Sequence, residues 1–271
     1  MARERGWWIS VKSSLPLTEG TVEVAGLGLY YRIGGSGPPL VLLHGFTLSG
    51  RQWNPFLDEL GKHNTVIVLD LPGHGRSARP TGDFTHREAA RLTFGMLDTL
   101  GIERVRGIGH SSGAIVLIHM AIQQPDRMEA MVLVAGAHRL PLDVRQERRA
   151  GAHRWETLDP EYLERKRPLH PGGDAQIHWI MEQFDRTGDN FVDFDLSPEH
   201  LMTIATPSLL VWGDRDLNFP VEFALEMYRA MPNAALWVIP GGGHSTVWNS
   251  EETQAMFPGV VHDFFEGRLV A

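Results

Sequence analysis

The sequence predicts an α/β protein: a mostly parallel eight-stranded sheet with helices on both faces and a helical segment inserted after the sixth strand. Three observations carry this. Short apolar runs recur at residues 40–43, 65–70, 105–109, 130–135, 208–212 and 236–239, as expected of strands covered on both faces. Segments with helical spacing alternate with them, the pattern of βαβ units. The rhythm stops between residues 138 and 200, where Arg, Glu, His, Asp and Trp replace the apolar runs.

At roughly 150 residues per domain, a 271-residue chain fits one large domain carrying an insertion. There is no cysteine, which excludes disulfides, thiolate metal sites and a thiol nucleophile. The 42% hydrophobic and 21% charged content is that of a soluble globular protein. A formal charge of −8 argues against a nucleic-acid or anionic-membrane surface, which would want Lys and Arg. The N-terminus lacks the apolar stretch of an export signal, so a cytoplasmic protein without a membrane segment is expected.

Taken in order, residues 1–19 read as a loose leader. Residues 21–24 and 29–32 carry β-formers around Ala25-Gly26 and suggest a hairpin. A Gly/Ser/Pro turn at 34–39 leads into the strand at 40–43. Residues 51–60 have helical spacing, and 65–70 is the next strand. The helix at 86–100 places Ala89, Leu92, Met96 and Leu97 on one stripe and is closed by Gly101. The strand at 105–109 is followed by a helix at 112–124, stopped by Pro125. After the strand at 130–135 comes the insertion. The pattern resumes with the strand at 208–212, a helix at 221–230, the strand at 236–239 and a final helix at 251–265. The core is thus residues 20–137 and 201–271. The insertion would lie at the carboxyl ends of the strands, where open α/β sheets bind ligands.

Gly109-His-Ser-Ser-Gly113 fits G-x-S-x-G, and its strand–turn–helix context is the one a nucleophile elbow requires. Ser111 would project at the sheet edge, with the following helix aiming free N–H groups and its positive end at it. A serine needs a base, and the base a carboxylate. Trp212-Gly-Asp-Arg-Asp216 and Gly241-Gly-Gly-His244 each follow an apolar strand. His244 is the candidate base, ahead of His74, His110 and His119. Spacing alone does not choose between Asp214 and Asp216. For the developing oxyanion, one N–H is that of Ser112. The other should come from Leu43-His-Gly-Phe46, with Phe46 as donor and His44 structural.

These residues resemble the α/β-hydrolase fold superfamily. Leu42-Leu-His-Gly-Phe46, Asp70-Leu-Pro-Gly-His-Gly-Arg-Ser77, the elbow, Trp212-Gly-Asp-Arg-Asp216 and Gly243-His244 occur in that family's order, over about residues 20–266. The resemblance selects Asp216 as the acid, marks the Asp70–Ser77 loop as structural, and makes residues 138–200 a cap. It implies a capped serine hydrolase of the carboxylesterase or cofactor-free haloperoxidase-like branch, needing no cofactor and acting on a small-molecule ester. Ser111 sets the chain apart from dehalogenases and epoxide hydrolases of this fold, which use aspartate there. Lactonases and C–C bond hydrolases share the triad, and a non-catalytic ligand receptor on this fold is the alternative of another class.

Within the insertion, the spacings of His138, His153, His170, His178 and His200 match no metal pattern, and surface positions are expected for them. Arg148-Arg149 and residues 164–167 read as solvated helix faces. Trp155, Trp179 and Phe184 are candidates either to line an apolar pocket or to hold the cap helices together, and Trp248 is a candidate either for the pocket or, like Trp53, for the core.

Overall fold

Eight strands form one sheet among residues 11–151, 153 and 158–269, the part of the chain that the computed structural model describes. They are β1 (Leu17–Val24), β2 (Leu27–Gly35), β3 (Pro39–Leu43), β4 (Thr65–Leu69), β5 (Val105–His110), β6 (Met128–Val134), β7 (Ser208–Gly213) and β8 (Ala234–Ile239). Their spatial order is β1-β2-β4-β3-β5-β6-β7-β8. β2 pairs antiparallel with β1 and β4, and all other neighbours are parallel.

The apolar runs follow from cover on both faces. In β3, Val41 and Leu43 join one buried cluster while Leu40 and Leu42 join another. β4 repeats this, with Ile67 and Leu69 on one side and Val66 and Val68 on the opposite side. Successive strand side chains point to opposite faces, so a strand sandwiched by helices must be apolar throughout. One face is covered by α2 (His86–Thr99), α3 (Ser112–Gln123) and α8 (Val221–Ala230). The other is covered by α9 (Glu251–Phe265), Trp53, Phe56 and the short α1 (Leu57–Leu60).

The β1–β2 hairpin turns at Ala25 and Gly26, both at positive φ, 52° and 79°. That left-handed pair matches the twist of the flanking strands. Upstream, Ser13 Oγ and the Ser14 and Leu15 amides donate to the Asp58 carboxylate at 2.5–2.9 Å. The ordered fold therefore begins inside the stretch read as a loose leader, of which residues 1–10 lie outside the described part. A second difference is at residues 51–60. Gly50–Phe56 is a 3-10 turn and only Leu57–Leu60 is α-helical. Pro55 has no N–H to give and clashes with an α-helical carbonyl four residues back.

Between β6 and β7 the chain forms α4 (Leu142–Arg149), α5 (Pro160–Lys166), α6 (Gly173–Arg186) and α7 (Pro198–Met202). It leaves and returns at one place: Leu196 N donates to His138 O at 3.1 Å, and Arg139 bridges antiparallel to Asp195. α6 lies on the core through polar ties to backbone. Gln176 Nε2 donates to Gly73 O and Gly75 O at 3.0 and 2.9 Å, and Gln183 Oε1 accepts from Phe84 N at 2.8 Å.

Several side chains read as solvated are buried here. His138 and His170 are sealed. His170 accepts from Gly75 N at 3.1 Å and donates to Thr47 O at 3.1 Å, which meets the cost of burying its polar atoms. Arg148 is buried between Phe184 and Thr187, and Lys166 lies over the Tyr162 ring. Their partners are remote in sequence or aromatic, so charge alone misplaced them. Among the described residues no helix is long and apolar enough to cross a membrane.

Candidate active site

Ser111 sits between the end of β5 and the start of α3 with φ 50° and ψ −114°. An L-residue reaches such a backbone only when its surroundings impose it. The imposition is steric. A Cβ on Gly109 would lie 2.4 Å from Gly113 C, and one on Gly113 would lie 2.2 Å from Leu43 O. Both flanking glycines are thus required for α3 to start so close to β3 and β5. Ser111 N donates to Val134 O at 2.8 Å, which ties the bend to β6.

The loops after β7 and β8 bring two side chains to this serine. His244 Nε2 lies 2.9 Å from Ser111 Oγ, and His244 Nδ1 lies 2.8 Å from Asp216 Oδ2. Asp216 is buried, and its Oδ1 accepts from Asn218 N and Phe219 N at 2.8 and 3.0 Å. A carboxylate only accepts, so Nδ1 carries the hydrogen and Nε2 faces the hydroxyl as acceptor. A hydroxyl so placed can give up its proton as its oxygen attacks an electrophile. Asp214 has a different place: its Oδ1 accepts from Gly241 N at 2.6 Å and binds one loop to the other. The geometry therefore separates the two aspartates that spacing could not.

The loop after β3 is held as firmly. Leu48 N donates to Gly45 O at 3.2 Å, closing a turn with Phe46 and Thr47 at its centre and Thr47 at φ 62°. The Phe46 amide is not used in closing this turn. His44 is buried, donates from Nδ1 to Gly45 O at 2.8 Å and accepts from Leu71 N at 2.9 Å. Burial pushes its pKa down to about 3, so it stays neutral. Ser112 opens α3, where the first N–H groups lack helical partners.

Gln52 joins this loop to the elbow, a part that sequence reasoning missed. Its Oε1 accepts from Gly45 N at 3.0 Å and its Nε2 donates to His110 Nδ1 at 2.8 Å. His110 then carries its hydrogen on Nε2, 3.2 Å from His244 O. The Asp70–Ser77 loop is built inward in the same manner. Asp70 accepts from Gly50 N and Arg76 N at 2.6 and 2.8 Å, and Ser77 Oγ donates to Asp70 O.

The four pocket candidates separate. Phe184 lies against Phe46, with ring centroids 5.2 Å apart, and Phe46 also meets Phe84 at 5.2 Å. Trp179 is buried over Gly73, where any Cβ would lie 1.9 Å from its ring, and under Arg79. Trp248 is a correction: it is buried in the core behind the elbow, packed on Trp53, Phe56 and His110, and its Nε1 donates to Gln52 O. Trp155 lies outside the described residues. Among the described residues no cluster of His, Asp or Glu could hold a metal ion.

A second buried chain, also missed, lies beside the first. His86 Nε2 is 2.5 Å from Ser112 Oγ and His86 Nδ1 is 2.8 Å from Asp193 Oδ2. Burial works against the charge of Asp193, but hydrogen bonds from the His86 ring and the His86 backbone hold its pKa down at about 2.

Comparison with known proteins agrees with this architecture. An uncharacterized protein of Mycobacterium tuberculosis is 29% identical over 86% of this chain and 78% of its own. The (E)-2-((N-methylformamido)methylene)succinate hydrolase of Acinetobacter baylyi is 27% identical over 78% of this chain and 84% of its own. The enol-lactonase of Burkholderia xenovorans superposes with a TM-score of 0.72 at 25% identity, covering 91% of this chain and all of that one. Residues 40–256 match the model of the alpha/beta hydrolase family. With most of its length inside that match, the chain belongs to the alpha/beta hydrolase family.

Proposed function

We propose that the protein is a serine hydrolase that cleaves carboxylic esters of small to medium apolar substrates. The observation that carries this is the continuous path from Ser111 Oγ through His244 to Asp216, at 2.9 and 2.8 Å. In the reaction Ser111 Oγ attacks the ester carbon while His244 Nε2 takes its proton. The carbonyl electron pair moves to oxygen, where the Phe46 and Ser112 amides receive it. Collapse breaks the bond to the alcohol, which leaves with the proton from His244. Water then gives a proton to His244, attacks the acyl-enzyme, and releases the acid and Ser111.

Residues 138–200 serve as a cap that selects the substrate. The aromatic side chains of Phe46, Phe84 and Phe184 favour an apolar acyl or alcohol group. A lactone is the second reading, supported by the likeness to an enol-lactonase, since a lactone is an ester closed on itself and passes through the same steps.

A fluorophosphonate probe and a panel of p-nitrophenyl esters of graded chain length, with a lactone alongside, test the proposal. Labelling confined to Ser111 together with ester turnover is expected. Labelling without turnover of any ester or lactone would favour a C–C bond hydrolase or a ligand receptor over an esterase, and labelling of a different residue would remove Ser111 from its role.

A further inference from the structure

We propose that His86 and Asp193 are positioning residues for the oxyanion amide of Ser112, so that the seating of the helical insertion sets how well that amide is aimed. The inference rests on the serine-hydrolase reading above.

The chain of contacts is short and closed to water. Ser112, His86 and Asp193 are all buried. Asp193 can only accept, so His86 Nδ1 carries the hydrogen toward it, and His86 Nε2 accepts the hydroxyl hydrogen of Ser112. Asp193 belongs to the insertion, yet its carboxylate also accepts from His86 N at 2.6 Å and Arg87 N at 3.1 Å. Those amides open α2, where they lack helical partners. One carboxylate thus closes the start of a core helix and anchors the imidazole that holds Ser112. Asn190 Nδ2 at 2.8 Å completes its shell, and His119 faces it with Nε2 3.2 Å from the Asp193 carbonyl.

Closing the start of α2 accounts for the carboxylate but not for the onward link through His86 to Ser112. The neighbours of His86 are aromatic: Phe84 and Phe194 lie edge-on, with centroids at 5.2 and 4.9 Å. Apolar side chains of the same shape in place of all three residues would take no polar chain out of water, and such wholesale replacements are often neutral or stabilising, whereas removing one member leaves the others unpaired. What the polar chain adds is direction. The amide that must point at the oxyanion belongs to the peptide between Ser111 and Ser112. On one side that peptide meets the strained Ser111 backbone. On the other, the grip on Ser112 Oγ resists its rotation.

The test compares wild type with Ser112→Ala, Asp193→Asn and the double variant. It reads kcat and KM on one p-nitrophenyl ester, Tm, and the inhibition constant of a trifluoromethyl ketone. That ketone reports the oxyanion site. Ser111 Oγ bonds to its carbonyl carbon, the Ser111 proton passes to His244, and the carbonyl electron pair becomes an oxyanion. Wild type must first be labelled at Ser111 by a fluorophosphonate; without that the underlying reading fails, and these variants are not what decides it. Given labelling, each single variant should lower kcat about ten-fold, less than the roughly 10²- to 10³-fold of losing an oxyanion donor outright. The ketone constant should rise by the same factor, with KM within two-fold. The double variant should be no worse than the worse single one, because both break one chain. Unchanged kcat and ketone affinity in Ser112→Ala, or losses that multiply in the double variant, would overturn the proposal.

Discussion

Two adjacent serines each face a histidine backed by a buried aspartate, and their surroundings differ in one decisive respect. On the first chain the His244 side chain is 16% exposed and Asp216 is sealed. On the second, His86 is 1% exposed and Asp193 fully buried. The imidazole-to-carboxylate distance is 2.8 Å in both. Under the proposed function, geometry of this kind is therefore not what separates the reactive serine from its neighbour. Access does: Ser111 stands on a strained bend that thrusts it out of the sheet edge, while Ser112 is the first residue of a buried helix. In the two roles proposed above, the same three residue types act as a reaction centre where a substrate can arrive and as a strut where none can.

The sharpest way to break this contrast is to remove each hydroxyl in turn. Ser111→Ala should lower kcat by about 10⁴- to 10⁶-fold with an unchanged melting curve, against the ten-fold expected for Ser112→Ala. Equal losses at the two positions would dissolve the distinction. Next in size, Asp216→Asn should lower kcat by about 10⁴-fold through loss of the correct His244 tautomer. Asp214→Asn should weaken only the tie to Gly241, by about 1 kcal/mol, read from urea unfolding. The reverse ranking in kcat would exchange their roles.

Acid should act on buried histidines outside both chains. Burial holds His44 at about 3 and His170 at about 4, both below the ordinary histidine value of about 6.5. As pH falls from about 6.5 toward 4 the unfolded chain takes up these protons and the folded chain does not. Stability must then fall, with a slope approaching about 1.4 kcal/mol per pH unit for each such histidine. Urea unfolding at pH 7, 5.5 and 4.5 measures it; a flat profile would mean that these rings take up protons in the fold at the same pH as in the unfolded chain. The smallest effect concerns Phe184 against Phe46. Phe184→Ala should shift relative kcat/KM among ester chain lengths by about ten-fold, and an unaltered preference would place selection elsewhere.

Legibility in the sequence followed the range of each constraint. The elbow was readable because its glycines, serine and flanking elements are contiguous, and the order of the loops carried His244. Asp214 and Asp216 were not separable by spacing, because which of them reaches His244 depends on how two loops pack. The helix expected at 51–60 failed on one residue, Pro55. Trp248, open between pocket and core, lies in the core, since aromatic content does not say which side of a sheet a ring will take. His86 and Asp193 were invisible for another reason: 107 positions separate them, and no short pattern links a helix start to a loop in the insertion.

The pairing of His138 with Leu196 makes the insertion a lobe with a single neck. Such a lobe could be exchanged, lengthened or trimmed over generations without disturbing the sheet, and new substrate preferences would come by replacement rather than redesign. Asp193 sits three residues inside that neck and limits the freedom. Any transplanted lobe would have to deliver a carboxylate to the same spot, or leave the start of α2 open and His86 without its anchor. Chimeras joined just inside residue 193, which keep its carboxylate, should therefore inherit specificity with full turnover, and those joined just outside it, which replace that carboxylate, should acquire the new specificity at a loss of rate.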